Sequence, residues 1–446
     1  MKRTHAGGLG LMLAAQLLAP GIALAVPDGS TTQRVPETAA VTLDSPASEL
    51  RVLLGRLLSE HAFLTMEQMR AIADDRPDAA AAAKAVDANT ADLSAAIGSV
   101  YGDDAGSQFA DLWDGHVNDL ELYAEAVRDG DTAAQEEAHR GLETYRREFS
   151  DWLAAANPNV TAEGVADLLH LHTDQLTSYL DDDFEAAFLT ERQAFAHMFE
   201  TGDTLASAII SQFPDRFPGR GEGFSPAVGL WLALDRLLGE HLILAAEAMR
   251  AGHSAAAEFD AASDALNDNS ADLASSIGSI YGAEAGEAFE SLWKEHIDAY
   301  LAYIEAIRED DEAAQEEHRS VLAGYADRFG EFLAAANPHL EAGSVSRLVE
   351  HHALALLEQV DAYAEGDYDR AYSTVREAYA HMFDVGKALA IALSEQFPAR
   401  FPALPASSTE PAADKTPLSP VLPTALLVIA VVMRVFSRPM RPSPRG

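Results

Sequence analysis

Eight histidines stand at matched places in two copies of one sequence unit, and they are the residues here whose type and spacing could do chemistry. His61, His116 and His172 recur 180 positions later as His241, His296 and His352, and His197 recurs 184 positions later as His381. Neutral imidazole is a ligand for copper, zinc, iron and nickel, with geometry choosing among them. The chain has no cysteine, which removes disulfides, thiolate metal sites and cysteine nucleophiles together. A metal would therefore be held by His, carboxylate, Met or backbone oxygen. One inward imidazole can be satisfied by a carbonyl or a Tyr hydroxyl. Four at one depth, built twice, leave many donors and acceptors to satisfy unless they share a ligand. All eight are thus candidate metal ligands, for copper first and for zinc, iron or haem as alternatives. Either all four imidazoles of a repeat bind one ion, or two ligate a haem and two line its pocket. The competing reading is a structural or adhesive surface module whose histidines only hydrogen-bond within the core. A third, an oxidase, would need an open coordination position and a substrate-sized cavity.

The elements that must position these side chains are helices. Apolar residues recur at helical spacing throughout and no alternating β-rich run appears. In the first copy the pattern predicts helices over 48–73, 78–101, 104–128, 132–156, 161–181 and 183–213. Breaks fall at Asp75-Arg76-Pro77, Gly102-Asp103-Asp104, Asp129-Gly130-Asp131 and Asn157-Pro158-Asn159. Such short connections favour antiparallel neighbours, so the expected class is all-α, two tandem bundles of about six helices each. Leu54, Leu57, His61 and Leu64 share a stripe, as do Phe109, Trp113, His116 and Leu120, then Val165, Leu169, His172 and Leu176, and finally Ala194, His197, Met198 and Thr201. Each histidine lies roughly 16 to 21 Å along its helix at 1.5 Å per residue, which predicts one common layer.

Polar neighbours extend the expected site. Asn89 and Asn269 fall on the inward stripe of the second helix of each copy, as residues that either orient a histidine or bond the backbone. Glu200 and Asp384 follow His197 and His381 by three residues and are expected to approach the same site. Glu60 and Glu240 point about 100° away from His61 and His241 and are expected in solvent. Met198, Met382, Met69 and Met249 lean towards copper, although core methionine usually fills gaps. His139, His170, His318 and His351 have no counterpart in the other copy and are read as incidental.

The duplication runs through almost the whole chain. Repeat 1 is expected over 46–218 and repeat 2 over 228–402, joined by a Gly/Pro-rich connection. Four extra residues near Tyr363 to Gly366 turn the offset from 180 to 184. Outside the repeats, residues 1–25 read as a signal peptide, with Ala23-Leu24-Ala25 as a cleavage site. Residues 403–420 read as a Pro-rich stalk, 421–437 as a transmembrane anchor and 438–446 as a basic cytoplasmic tail. The expected place is therefore outside the cytoplasm, at the cell surface or facing the periplasm, with the membrane as a partner through the C-terminal segment. A formal net charge of −40 argues against nucleic acid as a partner. The chain names no protein partner. No phosphate loop, His-Glu-x-x-His motif or Gly-x-Ser-x-Gly elbow occurs, so no catalytic residue is assigned.

Five repeated motifs carry a family resemblance. They are Leu58-Ser59-Glu60-His61, Asn89-Thr90-Ala91-Asp92-Leu93, Ile97-Gly98-Ser99-Val100-Tyr101-Gly102, Leu112-Trp113 with His116, and Ala196-His197-Met198-Phe199, each with its counterpart in the second copy. Together they resemble a family of secreted bacterial helical-repeat proteins, some of which carry a copper amine oxidase label. What that resemblance implies is copper. Copper amine oxidases use a modified Tyr in an Asn-Tyr-Asp/Glu context on a β-rich domain, and no Asn-Tyr occurs in this chain.

Overall fold

The breaks in the sequence pattern become helix caps. The computed structural model describes residues 43–181, 183–219 and 221–402, and within them every regular element is helical. Repeat 1 comprises α1 (Pro46–Ala73), α2 (Ala79–Tyr101), α3 (Asp103–Asp129), α4 (Thr132–Ala156), α5 (Ala162–Asp181) and α6 (Phe184–Gln212). Repeat 2 comprises α7 (Pro226–Ser254), α8 (Phe259–Tyr281), α9 (Ala283–Arg308), α10 (Glu312–Ala336), α11 (Ala342–Ala364) and α12 (Tyr368–Gln396). Ser45 caps α1 through a capping box with Ser48, and Asp131 and Asp311 accept from the first amides of α4 and α10. Single glycines turn α2 into α3 and α8 into α9. Gly102 and Gly282 take φ near +99° and +101°, which a side chain would resist.

The expected leader, stalk, anchor and basic tail lie outside the described residues. Among the described residues no helix is long and apolar enough to cross a membrane. The four-residue insertion lengthens α11 over α5 and ends at Gly366, whose φ is +77°. Both flanking histidines keep their register.

In each repeat the first helix is central. α1 packs against α2, α3, α5 and α6, and α7 packs against α8, α9, α11 and α12. Every residue from Leu57 to Ala71 is buried, as expected of a helix walled on all sides. α6 can lie close to α1 because Gly202 meets Gly55 there. A Cβ on Gly202 would stand 2.5 Å from the Gly55 nitrogen.

The two repeats share one core across an approximate two-fold. α6 reaches α7 and α8 of repeat 2, and α12 reaches α2 of repeat 1. Phe199 stacks on its own counterpart Phe383 at 6.3 Å, and Phe195 meets Tyr379 edge-on. The connection between repeats is docked rather than loose. It forms a short 3-10 turn at Glu222–Phe224, and the Gly223 carbonyl accepts from Arg51.

Candidate metal centre

Three helices of repeat 1 bring His61, His116 and His172 together from α1, α3 and α5. The equivalent helices α7, α9 and α11 bring together His241, His296 and His352. In each trio one ring nitrogen per histidine lies within 4.8 Å of the other two, and all six residues are buried. His61 Nε2 sits 3.1 Å from His116 Nε2, and His241 Nε2 sits 3.3 Å from His296 Nε2. Nitrogens bound tetrahedrally at about 2.05 Å to one ion stand about 3.3 Å apart, so one of the three nitrogen pairs in each trio already has ligand spacing.

The expected layer holds three histidines per repeat, not four. His197 is only half-buried, and its Nε2 lies 3.0 Å from the Leu168 carbonyl of α5; His381 does the same with Leu348 at 3.1 Å. The reason is the double duty of α6 and α12. Each packs on its own central helix and on the other repeat, which centres the buried face on Met198 and Met382 and leaves the neighbouring histidine at its flank. Glu200 and Asp384 are exposed and do not join the site.

Asn89 and Asn269 are fully buried but serve a different polar group. Asn89 Nδ2 donates to the Leu57 carbonyl and to Glu60 at 2.8 Å, and Asn269 repeats this with Leu237 and Glu240 at 2.7 Å. Glu60 and Glu240 are accordingly not in solvent. Arg376 of α12 pairs with Glu60 at 3.0 Å and with Asp92 at 2.7 Å, while Arg192 of α6 pairs with Glu240 at 3.0 Å and with Asp272 at 2.7 Å. Pointing away from the histidine means pointing into the other repeat. Of the two roles expected for Asn89 and Asn269, the backbone bond is the one they make, and their second bond steadies the acids that fasten the two repeats together.

An aromatic shell surrounds each trio. Trp113 touches both His61 and His116 at ring separations of 4.7 Å, and Tyr145 of α4 stacks on His116 at 4.4 Å. Trp293 and Tyr325 occupy the same places around His241 and His296. The α4 stripe Leu142, Tyr145, Phe149, Leu153 was readable as a core face, but its contact with the histidines was not. Burial in this shell lowers the proton affinity of every imidazole. His116, His296 and His352 are pushed down to about 3, and His61, His172 and His241 are also lowered, first by burial and then by neighbouring imidazoles. All six rings are therefore neutral near pH 7, with lone pairs available. Both ring nitrogens of His172 and of His352 are buried without a hydrogen-bond partner.

Met69 is eight residues from His61, about 12 Å along the helix, and packs with Leu120, Leu142 and Leu176 instead. Its counterpart Met249 is likewise eight residues from His241. Of the incidental histidines, His170 pairs with Asp174, His139 meets Tyr123 edge-on, and His351 packs edge-on against His381.

The arrangement offers two pre-assembled sets of three neutral nitrogen donors in buried, aromatic surroundings. No family model matches the chain, and it matches neither a curated protein nor a solved structure.

Proposed function

We propose that the protein binds one metal ion in each of its two tri-histidine centres, that the ion is copper in its monovalent state, and that the protein holds or hands on copper outside the cytoplasm while tethered through residues 421–437. The observation that carries the reading is the convergence of three unprotonated imidazoles from three helices, built twice at equivalent positions. The choice of ion rests on charge. Neither trio includes a carboxylate, and the cost of burying an ion grows with the square of its charge, so a divalent ion in this shell would cost about four times as much as a monovalent one. Zinc or iron would call for an added anion or water at a fourth position. Haem is the poorest fit, since the third imidazole occupies space that a porphyrin lying between the other two would need.

Titration of the purified protein with copper(I) under anaerobic, reducing conditions, in competition with a chromophoric chelator, tests this. Two ions per chain are expected for the wild type, one for His61→Ala, and none for His61→Ala combined with His241→Ala. Zinc(II) titrated in parallel is expected to bind more weakly. Absence of copper binding by the wild type, or two ions retained by the double variant, would sink the proposal.

The close Nε2 to Nε2 contacts favour a second reading, in which each trio is a hydrogen-bonded polar knot in the core. That reading expects the histidine variants to lose stability with no change in metal content.

A further inference from the structure

Repeat 2 contains a chamber of about 290 Å³ that runs from the surface of the bundle to the histidine trio. Its walls are apolar, aliphatic with several aromatic rings, including Ile277, Phe289, Phe329, Phe332 and Leu340, and its inner end is formed by Trp293, His296 and His352. Met382, the residue beside His381, also faces it.

The corresponding side chains of repeat 1 are larger at three points of this wall. Trp152 stands where repeat 2 has Phe332, Leu169 where it has Val349, and Thr204 where it has Ala388. Trp152 closes against Phe109 and Phe149, and its indole nitrogen donates to Gln108 at 3.1 Å. Repeat 2 has Ala288 in place of Gln108, so the same latch has no partner there. Leu169 is 5 % exposed, whereas Val349 is only half-buried. The histidines register the difference. His172 is 0 % exposed and His352 6 %, and His116 is 0 % exposed and His296 2 %.

We propose that this chamber is a binding site for a neutral, mainly apolar small molecule of bicyclic aromatic size, carrying one hydrogen-bonding group that meets His352. Size follows from volume. An engineered apolar cavity of about 150 Å³ takes up benzene, and this one is about twice as large. Neutrality follows from the walls, which offer no charged side chain to a ligand ion. The polar contact is assigned to His352 because it lines the chamber with both ring nitrogens unpartnered, whereas Trp293, His296 and Tyr325 each leave one polar atom unpartnered. Apolar pockets with one well-placed polar group are the usual form of small-molecule sites. The site is independent of the metal reading, although a ligand here would lie beside the repeat 2 centre and not the repeat 1 centre.

The test is calorimetric titration of the full chain, first stripped of metal, with 2-naphthol and with naphthalene, and Trp fluorescence as a second readout. One site per chain is expected, with 2-naphthol bound at least fivefold more tightly than naphthalene. Phe332→Trp, Val349→Leu and Ala388→Thr together give repeat 2 the wall that repeat 1 already folds with, and are expected to weaken both ligands at least tenfold without lowering the melting temperature. The reverse set in repeat 1, Trp152→Phe, Leu169→Val and Thr204→Ala, is expected to create a second site. His352→Leu is expected to erase the preference for 2-naphthol while naphthalene still binds. No binding by the wild type, or binding indifferent to both wall sets, would overturn the proposal. Because no metal is present, failure here leaves copper binding untouched, and failure of copper binding leaves this result standing.

Discussion

Repeat 1 and repeat 2 keep the same three imidazoles in the same geometry, yet they differ in what surrounds them. In repeat 1 the trio is sealed by Trp152 and Leu169; in repeat 2 smaller residues leave a chamber against it. The polar seam between the repeats is also unequal. Arg192 and Arg376 make equivalent crossings, but around Glu67 the symmetry fails. Arg250 joins Glu67 to Glu258, and Arg76 joins Glu67 to Asp78, whereas Arg70, the counterpart of Arg250, donates to the Tyr179 carbonyl and lies over its ring. Ala256 and Val375 stand where repeat 1 has Arg76 and Glu191. Duplication has held the nitrogen donors fixed while the packing and charges around them diverged. What the two halves hold in common is therefore the trio, and what sets them apart is the walls.

That contrast can be broken most strongly at the seam. Arg250→Ala should cost about 3–5 kcal/mol, because it strips one of two cations from the buried Glu67 carboxylate. Arg70→Ala should cost clearly less, about 1–3 kcal/mol, since it leaves no buried acid unpaired. Urea unfolding of the two variants side by side checks the order, and equal losses would mean that the seam is balanced after all.

The next effect is one of pH. Burial and the neighbouring Glu67 charge raise the Glu191 carboxyl to about 8, and burial followed by Glu191 and Glu67 raises Glu247 as well. Burial would also raise Glu67, but Arg250 and Arg76 overcome it and hold that group at about 2. Glu191 thus keeps its proton in the fold at a pH where the unfolded chain has lost it. Its stabilising contribution is complete below about 4.5 and disappears as pH rises towards 8, with a limiting slope of roughly 1.4 kcal/mol per pH unit. Glu191→Gln should flatten the fall in the urea midpoint between pH 5 and 8. An unchanged profile would remove Glu191 from the account.

Smaller effects sharpen the comparison at the walls. Trp152→Phe should destabilise by about 1–2 kcal/mol through lost packing and the lost bond to Gln108. Phe332→Trp, the same exchange reversed, should be neutral or stabilising in thermal unfolding. Smallest of all is Thr65→Ala. The Thr65 hydroxyl lies 3.4 Å from His61 Nδ1, and repeat 2 has Ala245 at that place. The variant should cost under about 1 kcal/mol and, with copper bound as proposed, bring the affinities of the two centres closer, read as a narrower gap between the two steps of the titration.

Much of this architecture was legible because helices with short breaks leave little choice of topology. The predicted spans agree with α1 to α6 within a few residues, and the stripes containing His61, His116 and His172 do converge. His197 and Glu60 were misplaced for one shared reason. A helical stripe assigns one inward face, whereas α1 is walled on all sides and α6 packs on helices of both repeats. A residue 100° from the site on such a helix enters a second interface rather than solvent. Tyr145 was readable as core but not as the ring stacked on His116, and the chamber was not readable at all. Its volume is the sum of small differences, Trp152 against Phe332 among them, whose effect depends on neighbours distant in sequence.

The crossing of Arg192 and Arg376 reaches beyond stability. A surface that meets its own duplicate through the same residues in both directions is isologous, the kind that closes a two-fold dimer. Residues 46–218 alone would carry both halves of that contact, Arg192 and Glu60, on one face. A half-length chain has the means to pair with a second copy of itself, and the present chain has the form of such a dimer written as one polypeptide. Within one polypeptide, either half can carry a residue that its twin lacks, as Trp152 and Phe332 show.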